Sequence, residues 1–238
     1  METVQLEIQS DQLTSLGCEF HPSKDVMNNL GVTSQGLQLF QSFWNNLPTD
    51  QHMADGGVYR QRRFGVYHYI PGKGLAFKGN EHFFQSKNVN KLNGGVARSF
   101  ETVEHGFAHD PVLISLLYWD LYQLPEFVRS KKLKVYIHQI RILANPLMTG
   151  NPTPEGIHQD GHLYVAQHLV KRNNVSGGTS QIYNLDKFPV FTTTLKNPLD
   201  TLIVNDPYVF HSVTPITSLS DNGTRDMLLV DFNFLEEV

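Results

Sequence analysis

His158 and Asp160 stand two apart in the stretch GIHQDGH, and both side chains bind metal ions, one through nitrogen and one through oxygen. On an extended chain alternate residues share a face, so the two donors point the same way. The spelling alone is weak, because 11 His in 238 residues make a chance His-x-Asp triplet ordinary. A polar turn with solvated side chains explains it equally well. A third donor is available in His211, within YVFHSVTP. A lone imidazole among Phe210 and Val213 is odd for a surface residue, though a hydrogen-bonded core histidine fits there too. Two nitrogens and one carboxylate oxygen leave three coordination positions open, which suits Fe(II) with a bidentate oxo-acid and O2. Zinc is the rival metal, since two His, one Asp and a water also form a catalytic zinc shell.

A fixed cation separates the two metals. Arg225 opens the apolar stretch RDMLLVDFNF, and its planar fork can grip a carboxylate through two parallel hydrogen bonds. An iron site that uses a dicarboxylate cosubstrate needs such a cation, and a zinc hydrolase does not. Read alone, Arg225 is also an ordinary strand-end arginine. Arg60, Arg62, Arg63, Arg98 and Arg141 are further arginines able to hold a small anion.

Positioning these groups requires a scaffold, and the chain is long enough to bury a large core. Apolar residues make up 40% and charged residues 18%, as in ordinary globular proteins. With a net charge of −4 and no run of basic residues longer than Arg60-Gln61-Arg62-Arg63, nothing suits a nucleic acid or an anionic membrane. The single cysteine, Cys18, fits a reducing compartment, and the polar start METVQLEIQSDQ lacks the form of a secretory leader, so a cytoplasmic location is expected. No stretch reaches the length of a membrane-spanning helix. Asn174-Val175-Ser176 and Asn222-Gly223-Thr224 then read as turns rather than glycosylation sites.

The first half carries helical signals. Thr33 is a candidate N-cap before Leu37, Phe40, Phe43, Trp44 and Leu47 at helical spacing, ended by Pro48. In HDPVLISLLYWDLYQLP, Asp110 caps, Pro111 fits the first turn, and leucines line one side until Pro125. From Lys131 the pattern turns to strands: KLKVYIHQIRIL, HLYVAQHLV, TLIVN, YVFHSV and RDMLLVDFNF, punctuated by Asn-Pro, Gly-Gly and Asn-Gly turns. Helices followed by short strands predict an antiparallel sandwich or barrel with helices packed outside. The His-x-Asp pair falls at the mouth of a strand, after the polar loop 145–155.

Taken together, His-x-Asp at 158–160, His211 and Arg225, with the stretches FFQSKNVNKLNGGVARSF, HQIR, FHSVTP and RDMLLVDF, resemble the Fe(II)/2-oxoglutarate-dependent dioxygenases. Within them the chain is similar to the bacterial free amino-acid hydroxylases of the L-isoleucine 4-hydroxylase type. The likeness runs over roughly residues 55–235, and the iron motif is its most specific part. It implies one dioxygenase domain over residues 1–238, helical and mixed to residue 130, with a double-stranded β-helix (jelly-roll) core over 131–238, mainly β with flanking α-helices. It further implies iron on His158, Asp160 and His211, and 2-oxoglutarate held at its distal carboxylate by Arg225. O2 would be the oxidant, succinate and CO2 would be released, and the substrate would be a free aliphatic L-amino acid, hydroxylated or, for a thioether, sulfoxidised. Arg98 is the candidate for the substrate carboxylate, and His138, alternating with Tyr136, is a candidate to line the same cavity or to be a core histidine. His162 has no place in the motif and is expected either behind the ligands or at the surface. A zinc hydrolase on the same three ligands and a non-catalytic β-sandwich binding module are the competing readings, and a peptide is the competing substrate.

Overall fold

The computed structural model describes residues 12–236 apart from 88, 89, 91 and 93; residues 1–11, on which the leader reading rests, lie outside the described residues. The helices are α1 (Gln12–Ser15), α2 (Ser23–Leu30), α3 (Ser34–Ser42), α4 (His105–Ala108), α5 (Pro111–Gln123) and α6 (Glu126–Arg129). The strands are β1 (Cys18–His21), β2 (Arg60–Ile70), β3 (Gly74–Gly79), β4 (Leu133–Ala144), β5 (Tyr164–Asn173), β6 (Val175–Gly177), β7 (Ser180–Tyr183), β8 (Pro189–Thr193), β9 (Thr201–Asn205), β10 (Phe210–Val213), β11 (Ile216–Ser218) and β12 (Gly223–Phe234). Seven of them form one antiparallel sheet in the order β1-β9-β5-β12-β4-β2-β3. Across a cavity from it lies a three-stranded sheet, β10-β7-β8, while the ribbon β11-β6 packs on the end of β4 through Val175, Ile216, Ile142 and Ala144.

The large sheet separates the core from the site by the two-residue period of a strand. On β12, Leu228, Val230 and Phe232 are buried in the same apolar cluster as Phe107, Leu113, Leu116 and Leu117. Their neighbours Arg225, Met227, Leu229 and Asp231 line the cavity instead. On β4 the same alternation sends Leu133, Val135 and Ile137 to the helices and His138, Ile140 and Ile142 to the cavity. A one-residue slip of either strand would exchange an apolar face for the site, so the core burial fixes the register of the chemistry.

Two helix starts follow the expected chemistry. Thr33 accepts a hydrogen bond from the Gly36 N–H at 3.0 Å, and Asp110 accepts from Val112 and Leu113 at the start of α5, with Pro111 next. The first helix is shorter than its pattern: α3 ends at Ser42, and Phe43–Asn46 form turns. Burial at α5 is not purely apolar. Asp120 is fully enclosed and accepts from His168 Nε2 at 3.0 Å, while His168 Nδ1 meets Thr201 Oγ1 at 2.8 Å, tying the helix to β5 and β9. Asn174, in the first of the two candidate glycosylation triplets, sits at a positive φ of 53° and donates to the Asn222 carbonyl, consistent with its turn reading.

The helical and mixed segment up to residue 130 also contributes strands: β2 and β3 belong to the large sheet, and β1 lies at its far edge. The physical reason the sequence pattern hides a strand here is visible in β2. Its inward-facing residues begin with Arg60 and Arg62, so a pattern test that expects charge to face water reads RQRRF as a basic run rather than a strand.

One packing detail has a pH signature. His21 at the end of β1 packs edge-on to Trp119 at 4.9 Å, and its pKa is pushed down to about 4, by burial first and by His168 second, against Asp25. The unfolded chain protonates this ring near 6.5, so its contribution to stability is complete above that pH and is lost as the pH falls toward 4. The melting temperature is expected to decline across that window, and less steeply in His21→Gln. Parallel declines in the two proteins would show that His21 is not among the titrating groups responsible.

Candidate metal centre

His158 is not on a regular strand but in a single antiparallel bridge, its N–H donating to the His211 carbonyl at 3.0 Å and its own carbonyl accepting from His211 N–H at 2.9 Å. This pair bolts the loop 154–163 to β10 and brings the two imidazole rings to 4.4 Å. Asp160 follows in the loop, with Oδ1 3.4 Å from His158 Nε2 and Oδ2 3.2 Å from His211 Nε2. One ligand atom from each of the three side chains lies within 4.8 Å of the others, and among the described residues no other such group occurs. The His158 Nδ1–H points to the Gly156 carbonyl at 2.9 Å, which leaves Nε2 to face the cavity.

Asp206 holds this loop in shape. Its carboxylate accepts from the backbone N–H groups of Asp160, Gly161 and His162 at 2.9, 2.7 and 3.1 Å, and its carbonyl accepts from the Gln159 side chain at 2.7 Å. Three consecutive amides converging on one carboxylate form an anion nest, and Gly161 adopts the positive φ of 81° that the turn requires. On the opposite side Gln85 Nε2 donates to the Asp160 carbonyl at 2.9 Å. The electrostatics favour a cation. Burial and His211 press the His158 pKa down, but Asp160 and Glu155 raise it overall. His211 is lifted to about 10 because Asp160 and Asp206 outweigh its burial, and burial of the Asp160 carboxyl is overcome by His211 and His158, which hold its pKa well below the usual range. His211 Nε2 is nonetheless buried without a well-formed hydrogen bond. Two nitrogens and a carboxylate converging in this way fit a divalent cation, and all three side chains line the cavity.

Arg225 lies on the cavity floor, 3% exposed, with Nε and Nη2 buried and without partners. Burial and the neighbouring Arg172 lower its pKa to about 10, so it stays cationic at neutral pH. A desolvated guanidinium with two free donors is costly until a carboxylate arrives. Arg98 is equally enclosed, at 3% exposure, and enters from the segment 83–98 rather than from the large sheet. Its backbone pairs with Phe83, its Nη2 donates to Gln85 Oε1 at 2.7 Å, and its guanidinium lies 5.0 Å over the Phe83 ring.

His138 lines the cavity but has both nitrogens engaged. Nδ1 accepts from Arg62 Nη2 at 2.5 Å, and Nε2 donates to Asp231 Oδ2 at 2.8 Å. Burial, with the Arg62 charge, lowers its pKa to about 4, so the ring is neutral and fixed in one tautomer. His162 is buried rather than exposed: its Nε2 lies 3.2 Å from the same Asp231 carboxylate, and its Nδ1 meets the Asn233 amide at 2.7 Å. The partners that sequence reasoning missed are Asp206, Gln85, Glu155 and Asp231, while Arg62, one of the spare arginines, is found inside the cavity. Asp206 lies in Asn205-Asp206-Pro207, whose residue types signal a turn whatever the carboxylate does, and Gln85 and Asp231 lie inside the family-like stretches FFQSK and RDMLLVDF.

Asp206→Ala frees three amide donors from their common acceptor. It is expected to weaken Fe(II) binding by roughly 10–100-fold, the usual effect of losing a group that orients metal ligands. Calorimetric titration under anaerobic conditions measures this; an unchanged affinity would mean that the loop keeps its shape without Asp206.

Comparison with known proteins agrees with this geometry. Residues 41–231 match the model of the 2OG-Fe dioxygenase family. The chain is 30% identical over 186 residues to L-isoleucine-4-hydroxylase of Bacillus thuringiensis, covering 76% of this chain and 77% of that protein. Its fold superimposes on the crystal structure of IDO from Bacillus thuringiensis with a TM-score of 0.79 at 25% identity, covering 94% and 97% of the two chains. On a bsmA homolog from Methylobium petroleophilum the TM-score is 0.81 at 25% identity, with 95% and 93% covered. The mainly β core with flanking helices is therefore the double-stranded β-helix of these enzymes, and the chain belongs to the 2OG-Fe dioxygenase family, which works with Fe(II) and 2-oxoglutarate.

Proposed function

We propose that the chain oxidises a free aliphatic or thioether L-amino acid, adding one oxygen atom, with His158, Asp160 and His211 holding the iron and Arg225 holding the distal carboxylate of 2-oxoglutarate. The observation that carries this reading is the pair of enclosed, incompletely partnered guanidiniums, Arg225 and Arg98, entering one cavity beside the three metal donors. One suits the cosubstrate and the other the carboxylate of a small substrate. The relative from Bacillus thuringiensis is an L-isoleucine 4-hydroxylase, which supports the substrate class.

Fe(II) held by His158, Asp160 and His211 would supply oxidation of an unactivated C–H bond or a thioether sulfur by O2, at the expense of 2-oxoglutarate, which would leave as succinate and CO2. The protein residues bind, orient and exclude water. Arg225 takes the far carboxylate through its fork, where Ile142 across on β4 and Met227 two positions on along β12 keep water from competing. Arg98, held by Gln85 and Phe83, takes the substrate carboxylate. His138 acts through Arg62, whose guanidinium it accepts from, and Asp231 locks His138 in turn. Ile140, Leu229 and Val213 give the carbon skeleton an apolar surface. A zinc hydrolase would leave the Arg225 fork without an occupant, and a binding module would need no open metal positions.

Succinate formation measured across the free L-amino acids, with mass spectrometry for a gain of about 16 mass units from one inserted oxygen, tests the substrate class. The expected result is Fe(II)-dependent turnover with an aliphatic or thioether amino acid. Oxidation of a peptide and of no free amino acid would redirect the assignment.

Substitutions test the residue roles. His158→Ala, Asp160→Ala or His211→Ala should abolish succinate formation in a folded protein, and full iron occupancy in all three would refute the ligand set. Loss of a desolvated carboxylate partner costs on the order of 2–5 kcal/mol, so Arg225→Ala should raise the KM for 2-oxoglutarate by roughly 30-fold or more with iron still bound. An unchanged KM would show that another cation holds the cosubstrate.

A further inference from the structure

Glu155 closes the long loop after β4 and brings a carboxylate into the same cavity as the metal donors and Arg98. Its side chain is 11% exposed, and Oε2 is buried with no hydrogen-bond partner. No arginine or lysine among the described residues pairs with it; its one ion-pair neighbour is His158 Nε2, 3.5 Å from Oε1. That distance is long for a hydrogen bond, and the same nitrogen is the one turned toward the metal position while Nδ1 anchors the ring on Gly156. Glu155 is therefore not what orients His158.

Nor does it complete the ligand set. The compact group of donor atoms comprises His158, Asp160 and His211 without Glu155. A fourth protein ligand would also consume a coordination position that the chelating cosubstrate or O2 requires. What remains is a desolvated anion with an unused acceptor, a costly arrangement unless a cation comes to it. The Arg98 guanidinium stands elsewhere on the same cavity, within electrostatic reach of both Glu155 and Asp160 yet joined to neither by an ion pair. An anion and a cation held apart at one cavity beside a metal centre complement a molecule that carries both charges.

We propose that Glu155 accepts the ammonium group of the substrate, so that Glu155 and Arg98 together select a zwitterionic α-amino acid over a simple carboxylic acid of the same skeleton. The inference rests on the amino-acid reading above and adds to it the residue that recognises the amine. An ammonium offers three donors, enough to satisfy Oε2 and to neutralise the carboxylate. Glu155 is a specificity-determining residue in this account, with no part in binding iron or the cosubstrate.

The test uses Glu155→Gln, which keeps shape and removes charge. The full-length protein is assayed with its best amino acid and with the corresponding acid lacking the amino group, and anaerobic calorimetry follows the binding of Fe(II), 2-oxoglutarate and the amino acid. The expected result is a 10–100-fold rise in KM and in dissociation constant for the amino acid, from loss of a hydrogen bond to a charged group, with Fe(II) and 2-oxoglutarate affinities unchanged. The preference for the amino acid over its deaminated analogue should collapse. If the variant has a lowered melting temperature, Glu155→Asp, which keeps the charge but withdraws it from the cavity, is read in its place and must show the same selective loss. Unchanged amino-acid affinity, or weakened iron binding, overturns the role of Glu155 while leaving the amino-acid assignment intact. If the unaltered protein oxidises no amino acid, the substrate reading itself fails, and this inference falls with it.

Discussion

The site depends on a carboxylate that is not one of its metal donors. Asp206 gathers the amides of residues 160–162, and the chain can wrap around it only because Gly161 accepts a positive φ. The reciprocal backbone pair between His158 and His211 sets the other edge of the same loop. Between these two fixtures, the loop presents an imidazole and a carboxylate to a second imidazole on a different sheet. Each contact is an ordinary hydrogen bond. Their joint effect is to hold the three donors in one arrangement, which lowers the conformational cost of binding an ion.

The large sheet performs a separate task. It supplies cations from one face and is held rigid by the apolar core on the other. Arg225 shares a cross-strand row with Ile142 on β4 and, one strand further, Arg60 on β2. Arg62 and Met227 flank Ile140 in the next row. Burying this much positive charge is tolerable because most of it is anchored: Arg60 on Asp50 at 2.7 Å, Arg62 on His138, and Arg98 on Gln85. Each anchor leaves at least one guanidinium nitrogen without a protein partner, and in Arg225 two nitrogens remain so. Anchoring fixes direction and leaves the remaining donors open to an anion.

Much of this was legible in the sequence, for identifiable reasons. His158, Asp160, His211 and Arg225 were recognisable because their residue types, order and spacing are those the chemistry needs, strand β4 because it alternates, and strands β9 and β12 because they are apolar, β-rich runs bounded by turns. Strand β2 escaped because the cavity it faces is polar, which inverts the pattern that normally marks a buried face. Asp206 escaped for a different reason: an Asn-Asp-Pro sequence signals a turn whatever its carboxylate does, and the three amides it collects lie more than forty positions earlier in the chain. Glu155 carried no local signal at all. Its significance arises only where the fold leaves its oxygen enclosed and unpaired.

The central claim is that the three donors and Arg225 form one site in which metal and cosubstrate bind cooperatively. Anaerobic calorimetric titration of 2-oxoglutarate into the protein, with and without one equivalent of Fe(II), tests this directly. The account predicts one-to-one binding that is strong with the metal and greatly weakened without it, because Arg225 alone then holds the ligand. Equal affinity in the two titrations would contradict it, since the cosubstrate would be bound somewhere the metal does not reach.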